Sequence, residues 1–360
     1  MPLDLEDFSA FVGFGDSTVD SRNAATATFG AVTPESQGYY QGRFSTGPNY
    51  FDQLWAGTTG DEPEAFGVWL DIFGNAGDGG ANYAFGGSVS DDLAGQLANF
   101  ASDLGSDRVL TEAPISDTLF GINIGGNDLL AFAAADGLAY TGAQLQNLAQ
   151  EVASDVGLMI DGLAALGARS VLLSGVPNVG VTPDVTNGAY DGDQDAALAA
   201  NAPVTAAVND ALLAAIETRI VADPELTIYW FDLDVQPVLD DPAAFGLDPD
   251  LLTTPFVDDL EAGRATLAEV DTYAFLDDVH VTAPVQDYLF GLALDALVFG
   301  GPDADTDNIV QGTALPERID GYAGDDRLEG LAGADTLVGG AGDDIVFGGL
   351  GADMIYGDVI

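Results

Sequence analysis

Four short runs of this chain are almost continuously apolar, and each ends in a polar turn. They are residues 8–15 (Phe-Ser-Ala-Phe-Val-Gly-Phe-Gly), 118–124 (Thr-Leu-Phe-Gly-Ile-Asn-Ile), 170–176 (Ser-Val-Leu-Leu-Ser-Gly-Val) and 226–232 (Leu-Thr-Ile-Tyr-Trp-Phe-Asp). Such runs, lacking strict in–out alternation, predict strands covered on both faces, as in a parallel sheet. Between and after them lie long helical patterns at about 142–166, 193–222 and 283–298. Strand and helix in alternation predict an α/β fold: a doubly wound, mostly parallel sheet in three layers, α/β/α. Residues 25–80, rich in Gly, Thr, Pro and aromatics, read instead as an irregular excursion from that core.

After residue 300 the texture changes. From Gly321 the chain repeats every nine residues, bringing Asp326, Asp335, Asp344 and Asp353 into register, with Leu328, Leu337, Val346 and Ile355 two places after each. Glu317 and Ile319 look like a degenerate earlier copy. The period resembles the Gly-Gly-x-Gly-x-Asp-x-apolar-x nonapeptide of RTX-type calcium-binding parallel β-rolls. The glycines permit tight turns and leave main-chain carbonyls free, the aspartate offers a hard anionic oxygen, and the apolar residue packs inside. Calcium ions are therefore expected at Asp326, Asp335, Asp344 and Asp353, and the chain divides into residues 1–300 and a roll at 301–360.

Composition narrows the partners. The chain of 360 residues carries 59 acidic side chains against eight basic ones, all arginine, for a formal charge of −51. That field disfavours nucleic acid and anionic membrane surfaces and suits divalent cations or salty water. Without cysteine there are no disulfides or thiolate metal sites. No basic-then-apolar leader opens the sequence, and no uncharged apolar stretch reaches the ~20 residues of a membrane span.

His280 is the only histidine. A serine nucleophile needs an imidazole base and a carboxylate to orient it, so His280 is the single available base, with Asp277 three positions earlier on the same short turn. Asp278 is the competing orienter. Three other blocks follow or precede strands: Gly15-Asp16-Ser17, Asn82-Tyr83-Ala84-Phe85-Gly86-Gly87-Ser88 and Gly125-Gly126-Asn127-Asp128. Open α/β sheets place ligands at such carboxyl ends of strands.

In that order the blocks resemble the SGNH, or GDSL-type, family of esterases and lipases over about residues 8–298. Phe-Gly-Asp-Ser-Thr-Val-Asp-Ser-Arg-Asn matches the family's first block, including Asp20 and Asn23. Gly175-Val176-Pro177-Asn178 resembles a segment of its lipase branch. The resemblance implies a flavodoxin-like strand order and a serine hydrolase of carboxylic esters. Ser17 would be nucleophile, His280 base and acid, and Asp277 the orienter. The amides of Ser17 and Gly87 with the Asn127 side chain would form the oxyanion hole, Gly86 being the neighbouring choice. No cofactor beyond structural calcium is implied.

The aromatics Tyr39, Tyr40, Phe44, Tyr50, Phe51, Trp55 and Trp69 could wall an acyl or alcohol pocket or pack the excursion onto the core. The substrate is expected to be a small or lipid ester; a phospholipase, lysophospholipase or carbohydrate acetylesterase are rival enzyme readings. A calcium-dependent adhesin with an inactive hydrolase unit is the rival outside catalysis. RTX repeats resemble those of bacterial proteins exported by type I systems with an uncleaved C-terminal signal, so secretion is expected. Such proteins usually continue further than the four residues that follow the last repeat here.

Overall fold

The computed structural model describes residues 5–70, 79–106, 108–136, 140–223 and 225–299, and within the C-terminal part 309–311, 318–321, 324, 326–330, 336–340, 342, 344–351 and 354–358. The four apolar runs form one parallel sheet: β1 (Ala10–Gly15), β2 (Thr118–Asn123), β3 (Ser170–Ser174) and β4 (Thr227–Phe231), hydrogen-bonded in that order. β1 and β2 are buried along their whole length, as strands between two helical layers must be. On the outer side of β1, the segment 79–85 bonds to it rung by rung: Phe11 to Gly79, Gly13 to Ala81, Tyr83 to Gly13 and Phe85 to Gly15. Counting that reduced strand second in the chain gives the flavodoxin-like order 2-1-3-4-5.

Two apolar clusters fill the faces. One joins β1–β4 residues such as Val12, Phe120 and Val171 to Phe100, Val156, Ile160 and Val208 of the helices Leu93–Leu104, Gly142–Leu166 and Gln194–Ala222. The other seats Phe51 and Leu54 of the helix Tyr50–Thr59 and Leu289 and Ala293 of Ala283–Phe299 against Phe11, Leu119 and Tyr229. The 142–166 helix begins and ends where its sequence dictates. Thr141 and Gln144 form a capping box, and Gly167 closes it in the left-handed conformation. The helix Gln194–Ala222 is long and apolar enough to cross a bilayer by length and composition. Its buried stripe (Val204, Val208, Leu212, Ile216) nevertheless packs on the sheet layer, and Arg219 pairs with Asp161 of the neighbouring helix.

In the C-terminal part, β6 (Arg318–Asp320), β8 (Thr336–Gly340) and β10 (Met354–Asp358) make one parallel sheet. β5 (Ile309–Gln311), β7 (Arg327–Glu329) and β9 (Ile345–Phe347) make another. Each strand thus pairs with the one two repeats away, as a roll with two nonapeptides per coil requires. Leu328 and Leu337 are fully buried and Val346 packs on them. Ile355 departs from the expectation and is half exposed: it lies on the last described strand, whose one described neighbour is β8.

The 25–80 excursion is not irregular throughout, since it contains the helix Tyr50–Thr59. The part before that helix is anchored by Arg43, fully buried and paired in a two-pronged contact with Asp52 (Nε–Oδ2 2.6 Å, Nη2–Oδ1 3.0 Å). Asp52 in turn caps its helix by accepting the Asn49 amide. Breaking one side of a buried pair leaves an uncompensated charge, which costs about 3–5 kcal/mol. Arg43→Met should therefore lower the unfolding free energy in urea by about that amount, and a change under ~1 kcal/mol would show that the pair does not anchor the excursion.

Candidate active site

β1 delivers Ser17. Gly15 closes the strand at φ +147°, where a Cβ would lie 2.0 Å from the Asn123 carbonyl oxygen, so only glycine lets the chain turn tightly beside β2. Gln96 then holds both polar atoms of Gly15, accepting from its amide and donating to its carbonyl. Asp16, buried behind the serine, accepts from Thr18 N. Burial pushes its carboxyl up against that bond and the charge of His280.

His280 sits on a narrow turn pinned by a β-bridge between Phe275 and Val281 and by the Leu276 amide on the His280 carbonyl. The turn brings its ring to Ser17, 263 positions away in sequence: Ser17 Oγ lies 2.7 Å from Nε2, while Nδ1 lies 2.8 Å from Asp277 Oδ2. A carboxylate on Nδ1 holds the proton there and leaves Nε2 to accept from the serine. Asp278 is exposed and makes no bond to the ring; it is Asp277 that faces it. Asp277 also accepts the Val279 and His280 amides and the Tyr39 hydroxyl at 2.6 Å. Burial would raise its pKa, but the charge and hydrogen bond of His280, then Tyr39 and the amides, outweigh burial and hold the carboxyl well below its usual range.

Two groups escaped the sequence reading in their specific roles. Tyr39 donates to the Asp277 carboxylate, and Phe44 lies against the imidazole with ring centroids 4.7 Å apart and planes tilted by 32°. Both come from the excursion, whose aromatic content was the available signal. Tyr50, Phe51 and Trp55 are buried in the core, so most of those aromatics pack rather than line a pocket; Phe44 alone of the seven borders the cleft at Ser17.

Asn127, in the first turn of the helix Gly126–Asp136, borders the same cleft and donates one amide hydrogen to the Ser88 carbonyl at 2.8 Å. The Gly86 amide is taken by Asp20, whereas the amides of Ser17 and Gly87 have no hydrogen-bond partner among the described residues. Gly87, at φ +85°, faces open space. Asp20 accepts four backbone amides, from Arg22, Asn23, Ala24 and Gly86, and so ties the loop that carries Ser17 to the Gly86–Gly87 turn. Its burial nevertheless pushes its pKa up to about 6.

In the roll, the Asp326 amide donates to Asp344 Oδ1 at 3.0 Å, which stacks these two aspartates one coil apart. Asp344 Oδ2 is buried without a hydrogen-bond partner among the described residues, and a Cβ on Gly339 would lie 2.4 Å from it. Gly321 covers the Asp326 carboxylate in the same way. An orphaned buried carboxylate oxygen under a glycine cradle fits a hard cation. The described residues gather no group of three or more acidic or histidine side chains, so backbone carbonyls would complete the shell. Asp335 and Asp353 lie outside the described residues.

Residues 11–290 match the family model of the GDSL-like lipase/acylhydrolase, and residues 318–358 that of the RTX calcium-binding nonapeptide repeat, in four copies. Among solved structures, the chain is similar to LAE5, an alpha/beta hydrolase enzyme from the metagenome of Lake Arreo, Spain. That likeness is at 12% identity and a TM-score of 0.34, covering 81% of this chain and 97% of that one. It is also similar to Axe2, an acetylxylan esterase from Geobacillus stearothermophilus (14%, TM-score 0.38, 82% and 97%). A gut microbial diltiazem-metabolizing enzyme matches at 12% and TM-score 0.37, over 88% of this chain and 50% of its own. No curated protein matches the chain. The family models alone carry the assignment.

The two buried carboxylates have opposite linkage. Asp277, depressed in the fold, adds stability above its ordinary value of 3.8 that is lost as pH falls toward its folded value. Asp20, raised to about 6, favours the fold below 3.8 and loses that contribution as pH rises through 6. Carboxyl carbon NMR should find Asp20 titrating near pH 6 and Asp277 still ionised at pH ~3. The reverse order would show that the hydrogen bonds around the imidazole do not govern Asp277.

Proposed function

The chain belongs to the GDSL-like lipase/acylhydrolase family and carries RTX calcium-binding repeats, and we propose that it is a secreted serine hydrolase of carboxylic esters. The reading rests above all on one observation: the sole histidine stands 2.7 Å from Ser17 and 2.8 Å from Asp277. His280 Nε2 takes the Ser17 proton as Oγ attacks the ester carbonyl. The developing oxyanion is received by the amides of Ser17 and Gly87 and the Asn127 side chain, each such donor being worth typically 10²–10³ in rate. The imidazolium, stabilised by Asp277, passes its proton to the departing alcohol and leaves an acyl-Ser17. Water, deprotonated by the same imidazole, then releases the acid. No step needs a metal.

We assign residues 1–300 to the hydrolase unit and 301–360 to the roll. Asp326, Asp344 and their equivalents Asp335 and Asp353, with turn carbonyls, would hold calcium. The ion supplies the positive charge that lets acidic, glycine-rich coils stack. Export through a type I system accords with such repeats.

Ser17→Ala and His280→Ala should each lower kcat/KM on an activated ester on the order of 10⁴-fold or more, because no second imidazole exists. Asp277→Asn should cost 10²–10⁴, since Asp278 does not reach the ring. An organophosphate should label Ser17. A folded protein that is neither labelled nor active on any ester would favour the adhesin reading.

For the roll, far-ultraviolet circular dichroism of the whole chain should lose β signal on adding a calcium chelator and regain it with calcium, while ester hydrolysis largely persists. Identical spectra in both conditions would contradict the calcium assignment.

A further inference from the structure

Beside Ser17 lies a crevice of about 70 Å³, partly open to solvent. Besides Phe44 of the excursion, three other places supply apolar walls. Val179 lies on the turn after β3, Leu233 and Val235 follow β4, and Leu289 belongs to the helix Ala283–Phe299. Local polar bonds set these walls. Asn178 accepts the Gly180 amide and donates to the Leu198 carbonyl, and Asp234 accepts the Gln236 amide. Val179, Leu233, Val235 and Leu289 are each at most 7% exposed.

The lining is mostly apolar: besides Ser17, Asn127 and His280 its polar members include Thr182 and Gln286, both already bonded within the protein, and no arginine borders the cavity among the described residues. A phosphate or carboxylate headgroup finds no cation here, and a sugar finds few hydroxyl partners on these walls. An acetyl group would leave the aliphatic surface uncovered, while a longer chain would bury it at about fourfold in binding per methylene.

We propose that this crevice is the acyl-chain site. The substrates are then esters of unbranched aliphatic acids of butanoate length or longer, with the alcohol left toward the open side. This rests on the serine-hydrolase reading above. It makes Val179, Leu233 and Val235 specificity-determining residues.

The test uses the full-length protein and 4-nitrophenyl acetate, butanoate, hexanoate and octanoate below their aggregation limits, with xylose tetraacetate as the sugar ester. The value of kcat/KM should rise from acetate to hexanoate by at least tenfold. Val235→Trp, and separately Val179→Trp, should cut the hexanoate-to-acetate ratio at least tenfold in protein that still melts cooperatively. A profile that is flat or best on acetate, or a preference for the acetylated sugar, would overturn the acyl-chain site while leaving the serine mechanism standing. So would an unchanged ratio in both folded variants. Should neither variant fold, the wild-type series decides alone. Failure to hydrolyse any ester would instead overturn the mechanism and the site together.

Discussion

The contact between Ser17 and His280 spans 263 positions of sequence, so bringing the two together depends on long-range packing as well as on the local turns that carry them. Ser17 is held from below by the end of β1 and by Gln96, and the next residue by Gln286, whose side-chain amide reaches the Thr18 carbonyl. His280 is held by its turn and by Asp277. The turn itself is braced from outside by the excursion: Thr46 accepts the Ala283 amide and bonds Asp271, Tyr39 bonds Asp277, and Phe44 covers the ring. Arg43 and Asp52 fasten that excursion to the core. A shift of an ångström in such a contact can cost 10²-fold in rate, which gives the irregular segment a physical reason to be so densely bonded.

An acidic chain with eight arginines cannot satisfy all its carboxylates by ion pairing. Arg43, Arg108 and Arg264 pair with the buried Asp52, Asp103 and Asp259, and other carboxylates turn to backbone amides instead. Asp20 collects four and Asp277 two, and at the surface Asp193 caps the helix Gln194–Ala222 through the Ala196 amide. Polar groups that are buried need partners, and amides at turns and helix starts are the partners always at hand. In the roll, Asp344 Oδ2 lacks such a partner among the described residues, which fits a cation there.

The regular elements were legible because each apolar run is long and unbroken. The helix expected at about 142–166 is Gly142–Leu166, set by Thr141 and Gly167. The strands end one or two residues earlier than their apolar runs, at Asn123 and Ser174, because there the chain leaves the sheet to build the site. The pairing of His280 with Asp277 was legible from chemistry, since one histidine admits one base, whereas Ser17 was singled out by the resemblance of its block to the family; the structure brings the three side chains together. Tyr39 and the aliphatic crevice were not legible, since neither follows from periodicity. The crevice depends on where the turns after β3 and β4 come to rest, and a tyrosine's hydroxyl partner depends on a loop whose path no local pattern encodes. Ile355 obeys the repeat and yet is half exposed on the edge strand β10.

Charge and shape together limit how this site could discriminate. The strongly negative surface adds no attraction for anionic headgroups, and the cleft offers no guanidinium to grip one. Recognition then has to come from apolar contact along the acyl chain. A hydrophobic pocket separates chains differing by one methylene only about 10–200-fold at best. Sharp selectivity would require a buried polar group left unpaired by the wrong substrate, and the buried polar lining residues Thr182 and Gln286 are already bonded within the protein. A site built this way grades its substrates by length and excludes none by chemistry, so its breadth follows from the same residues that give it an acyl preference.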